Sequence, residues 1–204
     1  MVKNAVSHKP GDIITLGGIE FGVLDVREPV CSDDPGSLFV VAVNTQGDDC
    51  RFGDTNDYTK SDLREAVDEW LEELGQNGVD LDLIEPREID LTTLDGRANY
   101  GKLEVKAAPL TLDEARMYAK FIPESDDWSW LATGWGAPGM SGSRVAFIVG
   151  SSGDWGYYGC CSGSNGIRPA LVISSSLLTS EREPDLTDVP TDVLLGELRR
   201  RIGE

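Results

Sequence analysis

GWGAPGMSGSRVAFIVGSSGDWGYYGCCSGSNG, residues 134–166, runs without a break into IRPALVI at 167–173. Ten of its 33 residues are Gly and six are Ser, and Arg144 and Asp154 are its only charges in a chain crowded with carboxylates. Such a stretch is either a flexible linker or an exposed contact surface held on a rigid frame. Its interior decides between them. RVAFIV at 144–149 reads as a strand, Ser151-Ser152-Gly153 as a turn and 167–173 as a closing strand. A segment interrupted by one core strand and ended by another belongs to a sheet. Two loops, 134–142 and 156–164, are left as the contact surface. The expected contact residues are Gly134, Trp135, Gly136, Gly139 and Ser141 in the first loop and Asp154 in the turn. In the second they are Gly156, Tyr157, Tyr158, Gly159, Cys160, Cys161, Ser162 and Gly163.

Tyr and Trp offer large amphipathic area with few rotatable bonds, and Ser and Gly adapt their hydrogen bonding, which is the palette of antibody paratopes. Trp135, Tyr157 and Tyr158 are the anchors of such a site, and the glycines shape it by keeping the backbone accessible. Their entropy cost requires a frame that does not move. Trp128, Trp130, Arg168 and Pro169 are expected to form that frame. Arg168, inside an apolar strand, needs a carboxylate or backbone carbonyls as partners.

Upstream, 13–16 and 19–26 flank Gly17-Gly18 and read as a β-hairpin, and SLFVVAVN at 37–44 as a β-branched central strand. Thr59-Lys60-Ser61-Asp62 fits a helix N-cap with an acidic residue three later, and after it Leu63, Val67, Trp70, Leu71 and Leu74 fall at helical spacing, ended by Gly75 and Gly78. A second capping pattern, Thr111 to Glu114, opens a shorter helix to about Phe121, stopped by Pro123. Between the helices, 81–100 reads as a surface excursion, and 126–132 begins a strand. Residues 1–10 form a tail, 11–174 one domain and 175–204 a linker followed by a short helix capped by Thr191. The first and last strands lie near the two ends of the domain and are expected to pair.

Eighteen basic against 36 acidic residues give a net charge of −18, which repels phosphate backbones and anionic membranes, so neither nucleic-acid binding nor membrane insertion is expected. The N-terminus has no apolar core of signal-peptide length, which implies a cytoplasmic or phage-particle-associated protein. Cys31 and Cys50 fall in polar loops, while the neighbours Cys160 and Cys161 could bridge only through a strained ring; free thiols are the reading. The sequence carries no cofactor motif.

The order FGVLDV (21–26), FGDTNDYTKSDLR (52–64), DLTTLDG (90–96), PLTLDE (109–114), WSWLAT (128–133) and GIRPAL (166–171) resembles the family of small bacterial and phage proteins carrying a DUF6273-type domain. The resemblance spans about residues 10–174, and Gly-Ile-Arg-Pro-Ala after a Trp-rich strand is its most specific part. It implies an α+β, C-type lectin fold related to formylglycine-generating enzymes, with two helices flanking antiparallel sheets. Some members are the variable proteins of diversity-generating retroelements. In those, the segment before the closing strand is displayed and rewritten at adenines, so that Asn codons become Ser, Gly, Asp, Tyr or Cys codons but never Lys, Glu, Gln, Met or Trp. Residues 156–164 hold only permitted types, whereas Met140 and Trp155 would have to be scaffold. The function implied is binding of an unknown protein or surface ligand through a diversified face, without catalysis.

Three other roles compete with this one. An oxidase chemistry among the fold relatives uses two cysteines, but here only adjacent Cys160 and Cys161 are available, and the sole histidine, His8, lies in the tail. Calcium-dependent sugar binding could use Asp33-Asp34, Asp48-Asp49 or 54–57, yet these lack EF-hand spacing and the Glu-Pro-Asn sugar triplet is missing. A phage or bacterial structural protein with an undiversified face is the third, its C-terminal helix tethering it or holding a homo-oligomer.

Overall fold

The hairpin of β1 (Ile13–Leu16) and β2 (Ile19–Arg27) turns on Gly17 and Gly18, whose φ values of +57° and +80° are open to glycine without strain. The structure is a computed structural model that describes residues 8–31, 34–150, 153–161 and 163–180. The C-terminal helix expected after Thr191 lies outside the described residues.

β3 (Ser37–Ala42) pairs with β2 on one side and with β13 (Pro169–Ser174) on the other, both antiparallel. β13 then meets β5 (Ile84–Glu85) and β8 (Ala107–Pro109), which completes a sheet of order β1-β2-β3-β13-β5 with β8 off the path. The last strand therefore pairs with the third strand, not the first. The physical reason is burial on both faces. β3 and β13 are apolar runs that need covering above and below, as central strands do, while four-residue β1 alternates exposed and buried positions and suits an edge.

A second sheet has the order β11-β10-β9-β12-β4, from β11 (Trp155–Gly159), β10 (Val145–Val149), β9 (Ser129–Gly134), β12 (Asn165–Ile167) and β4 (Gln46–Cys50). β12 runs parallel to β9, and β6 (Arg87–Asp90) and β7 (Lys102–Val105) make a separate ribbon. The fold is mixed α+β, mostly antiparallel, with few helices.

Period-two alternation sends successive residues of both sheets into two cores. Leu38, Val40, Trp130, Ala132, Ala146, Ile148, Leu171 and Ile173 join one, and Val41, Leu131, Phe147, Val149 and Ala170 the other. α1 (Asp62–Gln76) closes the first core with Leu63, Val67, Trp70 and Leu74. Each fully buried aliphatic side chain there contributes about 1.5–3 kcal/mol. The Ser61 hydroxyl accepts from Arg64 N at 3.0 Å and starts the helix, and Gly78, at φ +93°, follows its end. Gly75 remains inside the helix, its missing Cβ leaving room for Leu81. α2 (Leu112–Met117) covers the second core through Leu112 and Ala115 and has a complete Thr111–Glu114 capping box. It stops four residues before the expected end, where Phe121 N and Ile122 N both turn back to Tyr118 O. Residues expected as linker begin instead with α3 (Ser175–Ser180), whose Leu177 is buried in the first core. No helix among the described residues is long and apolar enough to cross a membrane.

Candidate contact face

β11 is the outermost strand of the second sheet, so its residues have a neighbour on one side only. Its register on β10 sets Phe147 opposite Tyr157, Ala146 opposite Tyr158 and Val149 opposite Trp155. Cys160 N donates to Arg144 O at 2.9 Å at one end of this hairpin, and Gly150 N to Asp154 O at 2.7 Å at the other. Antiparallel alternation between those bonds points the backbone groups of Gly156 and Tyr158 inward to β10 and those of Trp155 and Tyr157 to the outer edge.

The aromatic side chains divide between the two faces of this edge. On one, Trp135 stacks on Phe147 with centroids 5.4 Å apart and meets Tyr157 edge-on at 4.7 Å. Trp155 continues that side over Val149, walling a cleft of about 240 Å³ with Ile122, Pro123 and Glu124. On the other, Trp128 lies over Gly150 and Gly156, and the Tyr158 ring rests on Gly163 so closely that a Cβ there would fall 2.0 Å from it. Tyr157 is 60% exposed and Tyr158 51% exposed. The face thus wraps the strand.

Of the expected contact residues, Gly139, Ser141, Asp154, Tyr157 and Tyr158 are exposed, and Trp135, Gly156, Gly159 and Cys161 are half-buried. Ser162 lies outside the described residues. Gly134, Gly136, Cys160 and Gly163 are buried, which corrects their assignment to the contact surface. Each sits where a neighbour presses on it: Asn56 against Gly134, Ser141 O against Gly136, Tyr158 against Gly163. Cys160 belongs to the first core and is fully covered. Trp155, 41% exposed, joins the face although its residue type made it a scaffold candidate.

The first loop is held from a distance. Asn56 is buried, and its Nδ2 donates to Gly136 O at 3.0 Å, Val145 O at 3.0 Å and Gly142 O at 3.2 Å. Tyr100 Oη donates to Asn56 Oδ1 at 2.6 Å, which fixes the amide's orientation. Asp95 Oδ2 accepts from Ala137 N at 3.5 Å, and Leu94 N donates to Gly134 O at 3.2 Å. None of these anchors carries a local sequence signal, because the bonded partners lie forty or more residues apart.

The rest of the frame is apolar and self-satisfied. Trp130 is buried, packs edge-on against Phe52 at 5.6 Å and donates from Nε1 to Cys50 O at 2.8 Å. Arg168 donates to Ala42 O at 2.7 Å and Pro123 O at 2.6 Å, two backbone carbonyls; burial lowers its pKa to about 10. Trp128, expected in the frame, supports Gly156 and is also 38% exposed.

The chain matches no family model, no curated protein and no solved structure. Among the described residues no three His, Cys, Asp or Glu side chains converge as a metal site.

Proposed function

We propose that this protein binds a protein or surface ligand through the aromatic edge around β11, as a non-enzymatic variable protein of a diversity-generating retroelement with a C-type lectin scaffold. One observation carries the reading. Tyr157 and Tyr158, more than half exposed, stand on opposite faces of an edge strand backed by β10, with Phe147 opposite Tyr157 and buried Gly163 against the Tyr158 ring. Keeping such rings in water costs solubility without adding core, and contiguous exposed aromatic area is what contact sites use. The carboxylate-rich remainder of the surface, with net charge −18, favours a partner that does not carry dense negative charge.

The neighbouring DNA tests it. A reverse transcriptase gene beside a near-copy of the codons for 134–166, differing at adenines, supports diversification. A neighbourhood with neither removes it. Trp155 favours a second reading, an undiversified phage or bacterial interaction protein with a fixed face. It is exposed at the first position of the edge strand, yet adenine-directed change of an Asn codon cannot produce Trp. That reading expects the same binding face with no template copy.

A further inference from the structure

Two thiols meet one guanidinium where β11 ends. Arg144 Nη2 lies 2.9 Å from Cys161 Sγ, and the Cys160 thiol donates a second hydrogen bond to the same sulfur. Cys161 is half-buried, whereas Cys160 is wholly covered by the first core. The Cys160 backbone is pinned on both sides, its N–H donating to Arg144 O at 2.9 Å and its carbonyl accepting from Gly53 N at 3.0 Å. The two neighbours are therefore chemically unlike. Arg144 first, and the Cys160 hydrogen bond after it, stabilise the charged form of Cys161 and lower its pKa; burial pushes Cys160 up to about 11. Asp54 is the acidic group that reaches Arg144 electrostatically, and it is itself tied to Arg51 at 3.0 Å.

We propose that Cys161 is a nucleophilic thiolate, activated by Arg144, that takes up low-molecular-weight disulfides as a reversible modification beside the contact face. The Cys161 thiolate attacks one sulfur of the disulfide and a new S–S bond forms to it. The old S–S bond breaks, and the second sulfur leaves as a thiolate that takes a proton from water. Cys161 is oxidised, the departing sulfur is reduced, and the small disulfide supplies the oxidising equivalent. Cys160 does not resolve the adduct. It is covered and protonated, and a ring through neighbouring cysteines is strained. The adduct stays until an external thiol removes it. This chemistry belongs to the thiol pair whether or not the face meets a partner.

Cys31 and Cys50 serve as internal controls, since Cys31 is exposed and Cys50 is half-buried with its pKa raised by burial to about 11. The full-length protein is treated with neutral iodoacetamide across pH 5–9 and, separately, with glutathione disulfide at pH 7, and each cysteine is followed by peptide mass mapping. Cys161 is expected to react several-fold faster than Cys31 at pH 7 and to hold a mixed disulfide. Arg144→Gln is expected to slow it at pH 7 and move its alkylation profile to higher pH, while Arg144→Lys keeps part of the effect. Cys160→Ser retains the Cys161 adduct. The proposal is overturned if Cys31 reacts as fast as Cys161, if Arg144→Gln leaves the pH profile unmoved, or if glutathione disulfide yields an internal Cys160–Cys161 bridge.

Discussion

Asn56 reaches Gly136 across 80 residues of chain, its side-chain amide donating to the Gly136 carbonyl at 3.0 Å in a fully buried position. The same amide also donates to Gly142 O and Val145 O, so one side chain ties down both arms of the first contact loop. Asn56→Ala takes the side-chain partner from Gly136 O and from the Tyr100 hydroxyl, while Gly142 O and Val145 O keep the N–H groups of Val145 and Trp135; a buried unsatisfied polar group costs ~1–3 kcal/mol. Chemical denaturation is expected to show a loss of about 2–4 kcal/mol, cavity included. Asn56→Asp, nearly isosteric but without the donors, is expected to lose at least as much.

Glycines of the face divide by what presses on them. A Cβ at Gly134 would lie 2.5 Å from Asn56 Nδ2 and 2.9 Å from Asn56 O, neither of which can yield. At Gly163 it would meet the Tyr158 ring, the end of an exposed side chain that can swing away. Gly134→Ala is therefore expected to cost about 1–3 kcal/mol as overpacking. Gly163→Ala is expected to change stability by under ~1 kcal/mol while displacing Tyr158. Thermal melts of the two variants check the contrast.

Glu114 joins two jobs. Its carboxylate accepts from Thr111 N at 2.8 Å, which completes the cap of α2, and it pairs with buried Arg87. Arg87 also lies 5.0 Å from the centroid of the Phe39 ring, and burial lowers its pKa. Glu114→Ala leaves that cation uncompensated and is expected to cost about 3–5 kcal/mol by urea denaturation. Glu114→Gln, which keeps an acceptor for the cap, is expected to lose less.

Asp34 gives the fold an acid-sensitive clamp. Hydrogen bonds from Arg27 first, then from Gly36 N and Val30 N, hold its carboxyl down to about 2. That lies below the ~3.9 of an unfolded Asp, so the clamp stabilises the fold above that pH and is lost as pH falls toward about 2. Asp34→Asn is expected to lower the urea midpoint by a constant amount at neutral pH. Between about pH 4 and 2 the wild-type and variant midpoints should converge.

The sequence discloses those elements whose burial is one-sided or periodic. The Gly17-Gly18 hairpin, the apolar stripe of α1 and the apolar runs of β3, β10 and β13 are of that kind, because each carries its own period and punctuation, although the cap of α1 is Ser61 and not the Thr59–Asp62 pattern. β4 and β6 are short and mostly polar, so QGDDC and REID carry no strand signal, although β6 buries Arg87 and Ile89 on one face and pairs with β7. α2 ends at Met117, and the chain beyond it keeps Tyr118, Phe121 and Ile122 on the second core through a turn that returns to Tyr118 O. Within the face, residue type pointed to Tyr157 and Tyr158, but alternation alone could not say that Trp135 and Tyr158 serve opposite sides. The burial of Cys160 is tertiary, made by the first core closing over it. Asn56, Tyr100 and Asp95 are invisible because a long-range hydrogen bond leaves no periodic mark.

Sequencing this gene across many isolates, codon by codon, tests the central claim of a displayed face on a fixed frame most directly. The account predicts amino-acid changes concentrated at exposed positions such as Ser141, Tyr157 and Tyr158. It predicts invariance at Asn56, Trp130, Gly134 and Arg168. Substitutions spread evenly over frame and face, or a face as constant as the core, would contradict it.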